Sequence, residues 1–61
     1  MIYSHQGIID HIESTDLNEF DCKILVKGKW WKSTATRNIR YGYWNFKCPI
    51  NGLIELVEYP I

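Results

Sequence analysis

The residues from Phe20 to Ala35 read FDCKILVKGKWWKSTA, and this stretch decides the fold of the chain. Apolar and polar residues alternate on both sides of Gly28, which is the period of a β-strand with one buried face. A glycine between two such runs predicts a hairpin with a tight turn. One face of this hairpin is the natural core face, and it carries Phe20, Cys22, Ile24, Val26, Trp31, Ser33 and Ala35.

The turn of this hairpin has two candidate positions, which differ in the residues that they place opposite each other. A type I′ turn at Lys27-Gly28 sets Lys23 opposite Lys32, and like charges in that arrangement are unfavourable. A type II′ turn at Gly28-Lys29 pairs Lys23 with Thr34 instead. The sequence therefore favours the second register, although both give the same two faces.

A second hairpin is predicted around Asn51-Gly52, because this dipeptide suits a type I′ turn, in which both central residues have positive φ. The resulting pairs run from Ile50 opposite Leu53 to Trp44 opposite Tyr59. One side of the pair is almost wholly apolar and the other becomes polar toward its open end. We therefore expect a half-buried antiparallel pair at the end of the chain.

The N-terminal third has weaker signals. Three isoleucines and a leading glycine between Gly7 and Glu13 favour a strand over a short helix. Asp16 and Glu19 have the spacing of a capping box, which predicts a single helical turn before the first hairpin. The connection from residue 36 to residue 41 is expected to hold one turn, closed by Gly42.

Together these elements predict one all-β domain over residues 1–61, an antiparallel sheet of four or five strands with one short helical turn. An SH3-like or OB-like barrel is the expected architecture, and an antiparallel sheet with one helix is the alternative. The expected core consists of Ile8, Phe20, Cys22, Ile24, Val26, Trp31, Trp44, Phe46, Cys48, Ile50, Leu53 and Val57.

Composition places the chain among globular proteins, since 46% of its 61 residues are hydrophobic and 15% are aromatic. No apolar run approaches the roughly 20 residues that span a bilayer. The first six residues have neither the basic start nor the apolar stretch of a signal peptide, so we expect a cytoplasmic protein without a membrane partner. In that compartment Cys22 and Cys48 are expected to be free, buried thiols, the alternative being a disulfide between them.

The net charge is zero, but the charges are ordered along the chain. All seven basic residues lie between positions 23 and 47, which we call the basic segment, and all seven acidic residues lie outside it. Six aromatic residues share the basic segment with the lysines and arginines: Trp30, Trp31, Tyr41, Tyr43, Trp44 and Phe46. Single-stranded nucleic acids are bound by cations that contact phosphates and by rings that stack on bases.

The hairpin places Trp30 on the face opposite the core, with lysines on either side of it. We therefore predict a non-enzymatic module that binds nucleic acid, single-stranded in preference to duplex, through a basic-aromatic surface. The candidate binding residues are Lys23, Lys27, Trp30, Lys32, Arg37, Arg40 and Tyr41. In the competing interpretation Trp30 covers Leu25 as a minor second core, and the lysines are ordinary solubilising charges.

A small regulatory or inhibitory protein that docks on an acidic protein surface would use the same residues, and exposed edge strands would also allow a homodimer. The sequence does not separate these partners from nucleic acid. The histidines His5 and His11 and the two cysteines lack the close spacing typical of structural zinc sites, so no metal or cofactor is expected. Catalysis is not expected either, because buried thiols are inert and a chain this short has little room for a pocket.

Overall fold

In the computed structural model, which describes all residues from Met1 to Ile61, a single antiparallel sheet of five strands packs against one helix. The elements are β1 (Ile2–Tyr3), α1 (His5–Glu13), β2 (Glu19–Val26), β3 (Lys29–Arg37), β4 (Trp44–Phe46) and β5 (Leu56–Glu58). The strand order is β1-β5-β2-β3-β4, so β1 and β4 form the two edges and the sheet stays open. The mostly β fold is as predicted, but the SH3-like or OB-like barrel is not confirmed. The helix is too short to cross a membrane.

The hairpin of β2 and β3 is the centre of the fold, as the sequence predicted, but its turn differs from the expected one. Lys27 has φ 52° and Gly28 has φ 75°, which makes Lys27-Gly28 a type I′ turn. Lys23 therefore does lie opposite Lys32. On its other side Lys23 has Glu58 of β5 as a cross-strand neighbour, and an opposite charge at that position favours this register.

The segment from His5 to Glu13 is a helix, so the predicted strand is wrong. The Oγ of Ser4 caps the helix by accepting a hydrogen bond from the amide of Gly7 at 3.0 Å. A side chain at Gly7 would meet this Oγ at 2.9 Å, so the glycine makes room for the cap. Ile8 and Ile12, one helical turn apart, are both fully buried. This burial outweighs the β preference of the isoleucines.

The connection after the helix does not form the predicted helical turn. Asp16 has φ 64°, in the left-handed region, and Glu19 is already the first residue of β2. Asp and Asn tolerate this conformation better than other non-glycine residues. The spacing of Asp16 and Glu19 therefore does not mark the start of a helix. Asp16 lies in the tight connection between α1 and β2, and Glu19 begins the strand.

The C-terminal hairpin is also wrong, because β4 pairs with β3 whereas β5 pairs with β2 and β1. The segment between them, residues 47–55, crosses the helix-bearing side of the sheet instead of turning back sharply. Gly52 lies so close to Val26 that an added Cβ would be 2.7 Å from its Cγ1. Ile50 and Ile54 pack against the core along the same crossing. Gly52 therefore allows the crossing segment to pack closely on Val26 and does not form a type I′ turn, since neither Asn51 nor Gly52 has positive φ.

The core lies between the sheet on one side and α1 with the crossing segment on the other. Of the residues predicted for it, six are buried: Ile8, Phe20, Cys22, Ile24, Val26 and Val57. Five others are partly buried and pack against it: Trp31, Trp44, Phe46, Cys48 and Ile50. Leu53 is 89% exposed, so its assignment to the core is wrong. The sequence prediction omitted Ile12 and Ala35, both of which have no exposed surface.

Candidate binding surface

The face of the sheet opposite α1 carries no other element, and we refer to it as the open face. Alternation along the paired strands assigns its residues, since side chains directly opposite each other share a face. They are Ile2, Glu19, Asp21, Lys23, Leu25, Trp30, Lys32, Thr34, Thr36, Asn45, Leu56 and Glu58. This surface contains part of the site that the sequence predicted.

An apolar row crosses the open face close to the turn of the central hairpin. Leu25 of β2 lies opposite Trp30 on one side and opposite Leu56 on the other. Both leucines are partly buried, whereas Trp30 ends the row and is 41% exposed. Trp30 is therefore the cross-strand neighbour of Leu25, and its indole offers a large part of its surface to solvent.

Two of the predicted lysines border Trp30 on the open face. Lys32 is the next residue on the same side of β3, and Lys23 lies diagonally across from Trp30 on β2. We refer to Lys23, Trp30 and Lys32 together as the basic-aromatic end. Lys27 is in the adjoining turn, with its aliphatic stem beside Gly52, so its charge lies at the end of the hairpin and not over the indole.

Acidic residues that are distant in sequence come close to this surface. Glu58 is the cross-strand neighbour of Lys23, and a carboxylate oxygen of Glu55 accepts a hydrogen bond from the amide of Gly28 at 3.3 Å. An oxygen of Asp21 accepts from the hydroxyl of Thr34 at 3.1 Å. The ordering of charge along the chain therefore does not produce one basic half of the molecule, and the excess of lysine is local.

The remaining predicted residues lie at the opposite end of β3. Arg40 and Tyr41 are in the loop between β3 and β4, where their amides donate to the side-chain oxygen of Asn38 at 3.0 and 3.1 Å. Gly42 closes this loop with φ 78°, but the predicted start of the connection at residue 36 is wrong, because Thr36 and Arg37 pair with β4 as the last residues of β3. Along the strand, about 3.3 Å per residue separates Trp30 from Arg37 by roughly 23 Å. The structure thus divides the predicted site into two clusters.

The loop cluster is itself an exposed aromatic surface. Tyr41 and Tyr43 stack with ring centroids 6.1 Å apart, and the guanidinium of Arg40 lies 5.4 Å from the centre of the Tyr41 ring. Tyr41 is 67% exposed and Tyr43 is 50% exposed. Arg37 belongs neither to this loop cluster nor to the open face. It lies on the helix side opposite Trp44, half-buried, and its Nε has no hydrogen-bond partner.

A groove of about 530 Å³ runs beside β3 at the point where β4 leaves it. Its lining residues come from β2, from β3, from the crossing segment and from the end of the chain: Asp21, Cys22, Lys32, Ser33, Thr34, Lys47, Cys48, Pro49 and Ile61. The hydroxyl of Ser33 donates to the carbonyl of Lys47 at 2.7 Å and ties the crossing segment to the strand.

Both cysteines are free thiols, and neither lies in a metal-binding group. Burial raises the pKa of the Cys22 thiol from its ordinary value of 9.0 to about 11, although a hydrogen bond with Ser33 acts in the opposite direction. Near neutral pH Cys22 is therefore protonated and unreactive. Cys48 donates through its Sγ to the carbonyl of Ile50 at 2.7 Å. No three His, Cys, Asp or Glu side chains come close enough to hold a metal ion.

The sequence prediction missed several residues of these surfaces. Leu56 joins the open face only because β5 pairs with β2, and Lys47 reaches the groove through the crossing segment. Neither contact has a local sequence signal. Tyr43 could have been found, because the Tyr-Gly-Tyr sequence predicts two rings close together across a turn. Comparisons with protein families, with curated proteins and with solved structures find no match to this chain.

Proposed function

We propose that this chain is a non-enzymatic module that binds single-stranded nucleic acid through the basic-aromatic end of its open face. The observation that carries the proposal is the position of Trp30, which exposes 41% of its surface on an open sheet beside the cross-strand pair of Lys23 and Lys32. An exposed ring stacks on an unpaired base of any type, and the neighbouring ammonium groups contact phosphates. In this proposal Trp30 stacks on a base, and Lys23 and Lys32 bind the phosphates next to that base on the side away from the turn.

The shape of the surface favours a single strand over a duplex. Bases of a single strand can be unstacked and laid on a flat aromatic surface, whereas those of a duplex are paired inside it. Lys27 extends the basic surface around the end of the hairpin. A longer strand running along β3 would reach Arg40 and Tyr41 at the far loop, with Arg37 adding positive potential from behind the sheet.

The number of lysines that contact phosphate sets how strongly the affinity for nucleic acid depends on salt concentration. If Lys23, Lys27 and Lys32 each neutralise one phosphate, the logarithm of the affinity falls with that of the salt concentration with a slope of about −2. A rise from 50 to 200 mM salt then weakens binding by roughly 20-fold. The two free thiols fit a reducing compartment, and we place the protein in the cytoplasm on that ground.

The test is a titration of labelled oligonucleotides, single-stranded and duplex, followed by fluorescence anisotropy at the two salt concentrations. Trp30→Ala should weaken binding of the single strand by about 1–3 kcal/mol, the contribution of one base stacked on an aromatic ring. Tyr43→Ala is the matched control, because Tyr43 is similarly exposed but lies at the far loop. Equal affinities of these two variants, or no binding at low salt, would contradict the proposal.

Protein binding is the second candidate function, and a different observation favours it. Half of β3 has no strand beside it on its outer edge, since β4 pairs only with Ala35, Thr36 and Arg37. An unpaired edge is a template for another extended chain.

A further inference from the structure

The outer edge of β3 is unpaired from Lys29 to Ser33. The amide of Lys47 donates to the carbonyl of Thr34 at 3.0 Å, which shows that Thr34 points its backbone groups toward β4. Backbone groups alternate in direction along an antiparallel strand, so those of Trp30 and Lys32 point the same way. No strand lies there to meet them. Two amides and two carbonyls are therefore free to pair with an added strand.

The groove beside this edge could receive the side chains of such a strand. Its lining includes the apolar residues Cys48, Pro49 and Ile61 and, on the helix side of β3, Ser33; it also extends to Asp21, Lys32 and Thr34 of the open face. Side chains of an added strand would alternate between the apolar part of this groove and the open face. On the open face they would meet Trp30 and Lys32, so one set of positions meets apolar groups and the other meets a cation and a ring.

The charges at the edge select the partner. Lys29 and Lys32 lie on the unpaired stretch itself, and Lys47 lines the groove next to it, where Asp21 is the one acidic side chain against these three lysines. Two copies of this edge would bring their lysines together, and lysine on an edge strand is a common device against such self-pairing. A strand bearing carboxylates meets the same lysines favourably. The edge therefore disfavours a second copy and favours an acidic chain.

We propose that the outer edge of β3 binds an extended acidic segment of a partner protein as a sixth strand of the sheet. The segment would alternate acidic and apolar residues, with the acidic ones on the open face beside Lys32 and the apolar ones in the groove. This interaction goes beyond nucleic-acid binding because it uses backbone groups at the edge of β3. The two ligands share Lys32, so they would exclude each other.

The experiment uses a capped hexapeptide of alternating Glu and Val and the whole chain labelled with ¹⁵N. Binding should shift the amide resonances of Trp30 and Lys32 and slow their hydrogen exchange, because both amides become hydrogen-bonded. Three changes should each weaken binding by about tenfold or more: Lys for every Glu in the peptide, N-methylation of its pairing amides, and Lys32→Glu in the protein. Arg40→Glu is the matched control, with the same change of charge at the far loop.

Several outcomes would overturn the inference. The peptide does not bind, it binds without protecting the two amides, or the lysine peptide binds as well. Equal losses of peptide affinity in Lys32→Glu and Arg40→Glu would show that binding depends only on the net charge of the protein. Protection of the two amides by increasing protein concentration alone would identify a second copy as the occupant. Oligonucleotide on the open face leaves these amides exchanging freely, so failure here is separate from failure of the nucleic-acid proposal.

Discussion

Substituting Gly52 by alanine tests the crossing segment, the feature that most separates this fold from its expected hairpin. A Cβ at this position would lie 2.7 Å from Cγ1 of Val26, whereas an ordinary contact is 3.4–4 Å. Val26 is fully buried, so its methyl group cannot move into solvent. Overpacking of this kind costs about 1–3 kcal/mol. The lower entropy of the unfolded alanine chain returns about 0.4–1 kcal/mol.

The net expectation for Gly52→Ala is a loss of roughly 1–2 kcal/mol of unfolding free energy. For a domain of this size the melting temperature then falls by roughly 4–16 °C. Urea unfolding followed by tryptophan fluorescence and by circular dichroism measures the free energy, and agreement of the two probes checks two-state behaviour.

A double-mutant cycle shows whether the loss comes from Val26. Val26→Ala alone leaves a cavity and costs roughly 2 kcal/mol. It also removes the methyl group that the new Cβ would strike, so in that background Gly52→Ala should stabilise the chain by about 0.4–1 kcal/mol through the unfolded state alone. The coupling free energy is then the overpacking cost, about 1–3 kcal/mol, which exceeds the roughly 0.5 kcal/mol by which independent sites deviate from additivity.

The control for the cycle is Gly42→Ala. Gly42 has φ 78° and open space around it, so alanine there costs roughly 1 kcal/mol through backbone strain alone and adds independently to Val26→Ala. A type I′ hairpin at Asn51-Gly52 would make Gly52 behave in the same way, with positive φ and no link to Val26. Additivity of Gly52→Ala with Val26→Ala would therefore refute the crossing segment and favour the hairpin.

Two further predictions concern the helix cap and the buried thiol. Ser4→Ala should cost about 1 kcal/mol of unfolding free energy, because the amide of Gly7 loses its cap. Ser14→Ala is its control, since that hydroxyl only repeats a hydrogen bond that its own amide makes to the carbonyl of His11, and equal costs would contradict the capping role. Cys22 keeps its proton in the folded chain to about pH 11 but loses it near pH 9 when unfolded. The free energy of unfolding should therefore fall as pH rises from about 9 to about 11. Subtracting the pH profile of Cys22→Ala isolates the contribution of this thiol. Parallel profiles of the two proteins would contradict the raised pKa of Cys22.

The fold could be predicted where the sequence signal is local. The strands flanking Lys27-Gly28 are joined by a short turn, and their alternation assigns both faces correctly. The turn type was wrong because the lysine repulsion was judged without Glu58, which comes from a distant strand. The helix was missed for a related reason. Its isoleucines favour a strand locally, and only burial against the sheet makes the helix the better solution.

The end of the chain shows how a strong local signal is overridden. Asn51-Gly52 favours a tight turn, but pairing of β5 with β2 buries Val57 completely and lets Ile50 and Ile54 pack on the core. A hairpin between β4 and β5 would leave the core side of Val26 without the crossing segment that packs on it. Short-range preferences amount to about 1 kcal/mol, whereas burying one large apolar side chain contributes about 1.5–3 kcal/mol. Such non-local pairing cannot be derived from one segment.

The candidate site shows the same difference between local and non-local signals. Lys23, Trp30 and Lys32 were assigned to one face correctly because strand alternation fixes the two faces of the hairpin in either register. Arg40 and Tyr41 were grouped with them only because they follow closely along the chain. β3 runs for nine residues, and an extended strand of that length separates its ends more than any compact element would. Closeness in sequence therefore indicates closeness in space across a turn but not along a strand.

Lys32 is the residue at which the two proposals meet. Its side chain lies on the open face next to Trp30, and its backbone belongs to the free edge of β3. A phosphate and a carboxylate would compete for the same ammonium group, but only a polypeptide can also pair with the backbone. An acidic strand thus has a source of binding free energy that nucleic acid lacks, and this source depends little on salt. High salt should therefore favour the acidic strand over nucleic acid at this end of the sheet.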